Sequence, residues 1–111
     1  MQLYDFKEIQ ERVILVGVQT DSGDDVETSL DELQELAETA GAETAAKVIQ
    51  NRDAVHPGTY IGKGKIQEVK NLLTALDANG IICDDELSPS QLNNLERELE
   101  CKVMDRTLLI L

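Results

Sequence analysis

Positive charge is scarce in this sequence. Its 111 residues carry 10 Lys and Arg against 22 Asp and Glu, a formal net charge of −12. A domain so charged repels polyanions at long range, which excludes nucleic-acid binding by bulk electrostatics and leaves any RNA contact to a local basic patch. Such a patch can act because charges more than about 8 Å apart are largely screened at physiological salt. Aromatic residues are also few, with two Tyr, one Phe and no Trp. The core must therefore come from Leu, Ile, Val and Ala, a composition that suits an α/β protein. Cys83 and Cys101 have no paired spacing, and no signal peptide or bilayer-length apolar run is present. These absences exclude a disulfide framework and a membrane-spanning helix. They point to the reducing cytoplasm, with both thiols acting as small buried hydrophobes.

Histidine is nearly absent as well. His56 stands beside Pro57 and Gly58, without a Ser, Cys or second His at a suggestive spacing, and reads as a surface turn residue. No nucleophile, base and orienting group can be assembled around it, so the chain itself offers no catalytic set.

What is present is an alternation of short apolar runs and one-faced helices. Arg12 to Val18 is a continuous β-branched run, apolar on both faces like a central parallel strand. Ser29 precedes Leu30-Asp31-Glu32 as a capping box, and Leu30, Leu33, Leu36, Ala37 and Ala40 follow at helical spacing until Gly41. Glu43 to Arg52 alternates with polar residues on both faces and reads as an edge strand. Asp53 to Lys65 holds three glycines and a proline and reads as a loop. A second helical face, Ile66, Val69, Leu72, Leu73 and Leu76, ends at Asn79-Gly80, with Gly80 suited to the left-handed closing position.

Ile81 to Cys83 is a short buried strand ending in Asp84-Asp85-Glu86. Ser88-Pro89-Ser90-Gln91 then combines an N-cap, a first-turn proline and a capping Gln before Leu92, Leu95 and Leu99. Lys102 to Arg106 is a fourth strand, and Thr107 is placed to cap a helix beginning Leu108-Leu109-Ile110-Leu111. Strands alternating with helices imply right-handed crossovers. The expected fold is a single α/β domain over residues 1–111, a four-stranded mainly parallel sheet of order 2-1-3-4 flanked by about three helices.

Ligands of such sheets gather at the carboxyl ends of the strands. Gly62-Lys63-Gly64-Lys65 opens a helix there, and its amides and two ammonium groups suit an RNA or phosphate contact. It is not a Walker A loop, since Gly58 lies four positions before Gly62 and no Ser or Thr follows either lysine. Tyr60 can stack on a base or pack on its own helix. Asp84 and Asp85 are the alternative, as Mg²⁺ ligands, although adjacent acids in an extended stretch point to alternate sides. Pairing of one acid with Arg106 competes with that reading.

Three blocks carry a resemblance: Tyr60-Ile61-Gly62-Lys63-Gly64-Lys65; Asp84-Asp85-Glu86-Leu87-Ser88-Pro89-Ser90-Gln91 with Asn94-Leu95-Glu96; and Val103-Met104-Asp105-Arg106-Thr107. Their order and spacing resemble the amino-terminal domain of the HflX family of ribosome-associated GTPases. The resemblance implies a bacterial cytoplasmic factor that binds the large ribosomal subunit and its RNA and helps split stalled or idle ribosomes, with GTP controlling release. It also implies a following helical segment and G domain, before which this sequence stops. GTP and Mg²⁺ then belong to that G domain, and no cofactor is expected here. Lys63, Lys65 and Arg106 become the expected RNA contacts. The alternatives are adenine-nucleotide (ATP) binding on the Gly62 to Lys65 loop, and a regulatory domain packing on the protein's own G domain. The apolar Leu108 to Leu111 end raises the further expectation of a dimer.

Overall fold

The computed structural model describes residues 11–110. Four strands and four helices alternate: β1 (Arg12–Gln19), α1 (Val26–Thr39), β2 (Glu43–Asn51), α2 (Lys63–Ala75), β3 (Gly80–Cys83), α3 (Pro89–Leu99), β4 (Lys102–Asp105) and α4 (Arg106–Ile110). All pairings are parallel and the strand order is β2-β1-β3-β4, as the apolar patterning predicts. The fully apolar β1 and β3 lie inside, and the mixed β2 and β4 form the edges.

The two faces of β1 serve two cores. Ile14, Val16 and Val18 pack with Ile66, Val69 and Leu73 of α2 and Leu95 and Leu99 of α3. Val13 and Leu15 face the other way, onto Val26, Leu30, Leu33 and Ala37 of α1. Gly17 continues that second face, where a Cβ would lie 2.5 Å from a Val26 methyl. Its missing side chain is what lets α1 close onto the sheet.

Local chemistry moves several boundaries from their expected places. Helix α1 starts before Ser29, because the Asp25 carboxylate accepts from the Glu27 amide at 3.1 Å and the Thr28 hydroxyl at 2.9 Å and so caps a turn earlier. This start brings buried Val26 into the apolar stripe. Helix α2 opens at Lys63, inside the expected loop. The left-handed residue that follows α2 is Asp77, at φ 53°, and Gly80 is instead the buried first residue of β3. A Cβ there would meet the Lys102 carbonyl oxygen at 3.0 Å, so Gly80 serves the close approach of β4.

Asp105, not Thr107, caps α4, its Oδ1 accepting from the Leu108 amide at 2.9 Å while its Oδ2 accepts from Leu87 at 2.9 Å. Only α3 carries its cap as the sequence spells it, with Ser88 and Gln91 each accepting from the other's amide. Leu108 is half exposed, and Leu111, the last residue of the expected apolar end, lies outside the described residues.

Candidate functional site

The carboxyl ends of the four strands form one rim, which gathers the β1–α1, β2–α2 and β3–α3 loops. The β2–α2 loop is tightly built. His56 and Tyr60 exchange backbone hydrogen bonds at 3.0 and 2.8 Å, and His56 Nδ1 accepts from the Gly58 and Thr59 amides at 3.0 and 3.1 Å. His56 is thus a turn residue, as expected. From α3, Gln91 Nε2 donates to the His56 carbonyl at 2.9 Å and Asn94 Nδ2 to the Gly58 carbonyl at 2.8 Å.

At the end of this loop Gly62 is the N-cap of α2 and contributes no side chain. Its amide donates to Gln50 Oε1 at 2.8 Å, which ties the helix start to the end of β2. Lys63 and Gly64 are exposed, while Lys65 pairs with Glu68 at 3.1 Å, one turn along the same helix. Arg52 follows β2 directly, and its guanidinium hangs over Gly62, with one terminal nitrogen 2.8 Å from where a Cβ on Gly62 would be.

Charge pairing distinguishes these cations. Arg12, Lys47, Lys65, Lys70, Lys102 and Arg106 each contact a carboxylate. Among the described residues Arg52, Lys63 and Arg97 have no such partner, and the first two flank Gly62. Arg52 escaped the sequence reading because it lies eleven positions before Lys63, across an irregular loop. Its place at the end of an edge strand was the available signal.

The remaining expected contacts are held elsewhere. Tyr60 is 1% exposed, so its ring belongs to the core and offers no face to a base. Its backbone adopts φ 68°, an uncommon conformation for a non-glycine residue, which the two His56 bonds and the buried ring hold in place. The hydroxyl donates to Asp85 Oδ2 at 2.7 Å, and burial, then Asp85, push its pKa far above the ordinary tyrosine range. It acts as a fixed donor. Arg106 donates through Nε and a terminal nitrogen to Asp84 Oδ1 at 3.1 and 2.9 Å, and to the Ser29 carbonyl and hydroxyl at 2.9 and 3.1 Å. Its charge is committed to Asp84, and it braces β3, α1 and α4 together. The alternative Mg²⁺ ligands Asp84 and Asp85 therefore engage separate partners, and among the described residues no three His, Cys, Asp or Glu side chains group as a metal site.

Between the ends of β1 and β3, where successive crossovers diverge, lies a crevice of about 410 Å³ lined in part by Val18, Thr20, Asp24, Asp84 and Asp85. This is the usual ligand position of an open parallel sheet, and here it is acidic. The two thiols take no part in the rim chemistry. Cys83 is buried, and burial holds it well above the usual thiol range, while burial and then Glu96 push Cys101 up to about 11.

A parallel sheet in this order, with two cations that have no carboxylate partner among the described residues at one rim loop, defines a class before it defines a member: residues 27–111 match the family model for the GTP-binding GTPase N-terminal domain. The relatives place it further, and the chain belongs to the HflX family of GTPases as an amino-terminal domain. It is 62% identical over 110 residues to GTPase HflX of Lacrimispora saccharolytica, covering 99% of this chain and 26% of that protein. Against GTPase HflX of Escherichia coli it is 37% identical over 109 residues, covering 98% of this chain and 25% of that one. The chain thus spans about a quarter of the length of these relatives. Among solved structures it resembles a mutation variant of a protein called SsGBP, with a TM-score of 0.67 at 22% identity, over 91% of this chain and 30% of that one. That likeness concerns the fold.

Proposed function

We propose that this domain attaches its GTPase to the large ribosomal subunit by laying the β2–α2 loop on ribosomal RNA, and so takes part in splitting stalled or idle ribosomes in the bacterial cytoplasm. The supporting observation is that Arg52 and Lys63, two cations without a carboxylate partner among the described residues, flank the glycine N-cap of α2 on a domain of net charge −12. Phosphate oxygens meet there two positive side chains, the exposed Gly64 backbone and the positive end of a 13-residue helix. Lys65 adds a third cation once its surface pair with Glu68 yields, a pair worth at most about 1 kcal/mol. Arg106 takes a supporting role, since its guanidinium already neutralises Asp84. In this reading GTP and Mg²⁺ are bound by the GTPase portion of the longer protein.

The test replaces Arg52, Lys63 and Lys65 with Ala in the full-length protein and measures binding to purified large subunits across a salt series. Affinity should fall, and the slope of log K against log salt should flatten by roughly 0.7 to 0.9 per lost phosphate contact. Unchanged affinity and slope would dismiss the reading.

One observation favours a second, compatible role. Leu108 on α4 is 49% exposed, and packing on the protein's own G domain or, in the isolated chain, on a second copy would cover it. Sedimentation of the isolated chain over a concentration range tests the second copy, and a change in GTP turnover by the remaining protein when this domain is deleted tests the G domain.

A further inference from the structure

The capping box of α3 raises a question of residue choice. The N3 side chain of a capping box needs only an oxygen to accept from the N-cap amide, and Glu fills that place as well as Gln. Here Gln91 Oε1 accepts from the Ser88 amide at 2.9 Å, which a carboxylate would do equally. What Glu lacks is the amide donor, and Gln91 spends that donor outside the box, on the His56 carbonyl at 2.9 Å. One turn along, Asn94 repeats the arrangement, donating to the Gly58 carbonyl at 2.8 Å. Two side-chain amides on one helix thus grip two alternate carbonyls of the loop that carries Lys63.

We propose that Gln91 and Asn94 are positioning residues for the cationic rim loop: they latch it to α3 so that Arg52 and Lys63 meet a polyanion already arranged. This inference rests on the functional reading above and extends it to residues that do not touch the RNA. The latch acts on the segment where order is hardest to hold. Gly58 is the residue gripped by Asn94, Tyr60 carries a positive φ, and the turn from His56 to Tyr60 is otherwise held by bonds within itself, two between backbones and two from the Gly58 and Thr59 amides to His56 Nδ1. Without the grip the loop samples more conformations, and the entropy of restoring one of them falls on binding. Gln91 is 8% exposed, so its amide has little water to turn to in place of the His56 carbonyl. These two bonds tie the second motif block to the turn just ahead of the first, and the Tyr60 hydroxyl on Asp85 joins the two blocks themselves.

The decisive variant is Gln91→Glu, which keeps the capping oxygen and removes the latch donor. Asn94→Ala removes the second grip without adding charge and guards against a misfolded first variant. Two readouts are needed: hydrogen exchange at the Tyr60 and Gly62 amides in this chain, and binding of the full-length variants to purified large subunits across a salt series. Exchange at Tyr60 should quicken about fivefold for each lost bond. Affinity should drop by a similar factor with the salt slope unchanged, because no phosphate contact is removed.

Unchanged exchange would overturn the latch. Faster exchange with undiminished affinity would overturn its role in binding. A flattened salt slope for Asn94→Ala would make Asn94 a direct contact and overturn positioning. If replacing Arg52, Lys63 and Lys65 leaves affinity intact, the RNA reading itself fails, and the exchange measurement still decides the latch on its own.

Discussion

The two halves of the rim make opposite use of charge. At the switch point between β1 and β3, Asp84 and Asp85 are tied inward, to Arg106 and Tyr60, beside a crevice also lined by Asp24. One strand outward, at the end of β2, Arg52 and Lys63 have no carboxylate partner among the described residues. In the first half the charges brace the fold, and in the second no carboxylate among the described residues answers them. The central crevice that commonly receives nucleotides here presents carboxylates to any phosphate, while the edge loop presents cations.

If the acidic half is structural, breaking it must cost stability. Arg106→Ala leaves the buried Asp84 carboxylate without its cation and should destabilise the chain by about 2 to 3 kcal/mol, below the figure for a fully buried pair because Arg106 is partly exposed. Urea unfolding should show a lower midpoint with an unchanged m-value. A loss below about 0.5 kcal/mol, the size of an ordinary surface change, would erase the contrast between the halves.

A smaller effect sharpens the same comparison from the other side. Asn at position 85 can still accept from the Tyr60 hydroxyl, so Asp85→Asn combined with Asp24→Asn removes two negative charges and keeps the local bond. Affinity for large subunits should rise about twofold, since the carboxylates act on the RNA at a distance and are mostly screened. No gain at low salt would mean that the acidic half does not oppose binding.

The smallest effect concerns the thiols. Cys101 has its pKa raised to about 11 by burial and by Glu96. A raised thiol pKa favours the protonated native state, so this contribution to stability is complete below about pH 9 and is lost as pH climbs toward 11. Alkylation of Cys101 should be slow at pH 8 and quicken about tenfold per pH unit up to that value, following the thiolate. Cys83, fully buried, should react only on unfolding. Equal rates for both at pH 8 would contradict this ordering.

The sheet was readable from the sequence because apolar runs and mixed runs sort themselves into central and edge strands. Arg12 to Val18 can only be an inner strand, and Glu43 to Asn51 can hardly be one. Caps were less readable, since Ser29 with Glu32 satisfies the capping-box pattern, yet Asp25 accepts from the Glu27 amide and the Thr28 hydroxyl and starts the helix a turn earlier. The site was legible in part. Gly62 and Lys63 announce themselves, but Arg52 joins them through the geometry of an edge strand. For Tyr60 packing stood beside stacking on a base, and for Arg106 pairing with an acid stood beside an RNA contact; the choice rests on tertiary contacts, with Asp85 and Asp84, that a local window does not contain. Gln91 was visible as a cap, while its second bond runs to a residue 35 positions away.

The central position of β1 has a consequence for how the chain is made. Val13 pairs with Thr44 on one side and with Gly80 on the other. Of the four strands β1 is therefore synthesised first, yet it stays bare on one flank until β3, more than sixty residues later, has been added. Such a segment is prone to wrong partners in the interval. Vectorial synthesis should thus be the vulnerable stage in the life of this domain, and early closure of β2 and α1 over β1 is what shortens it.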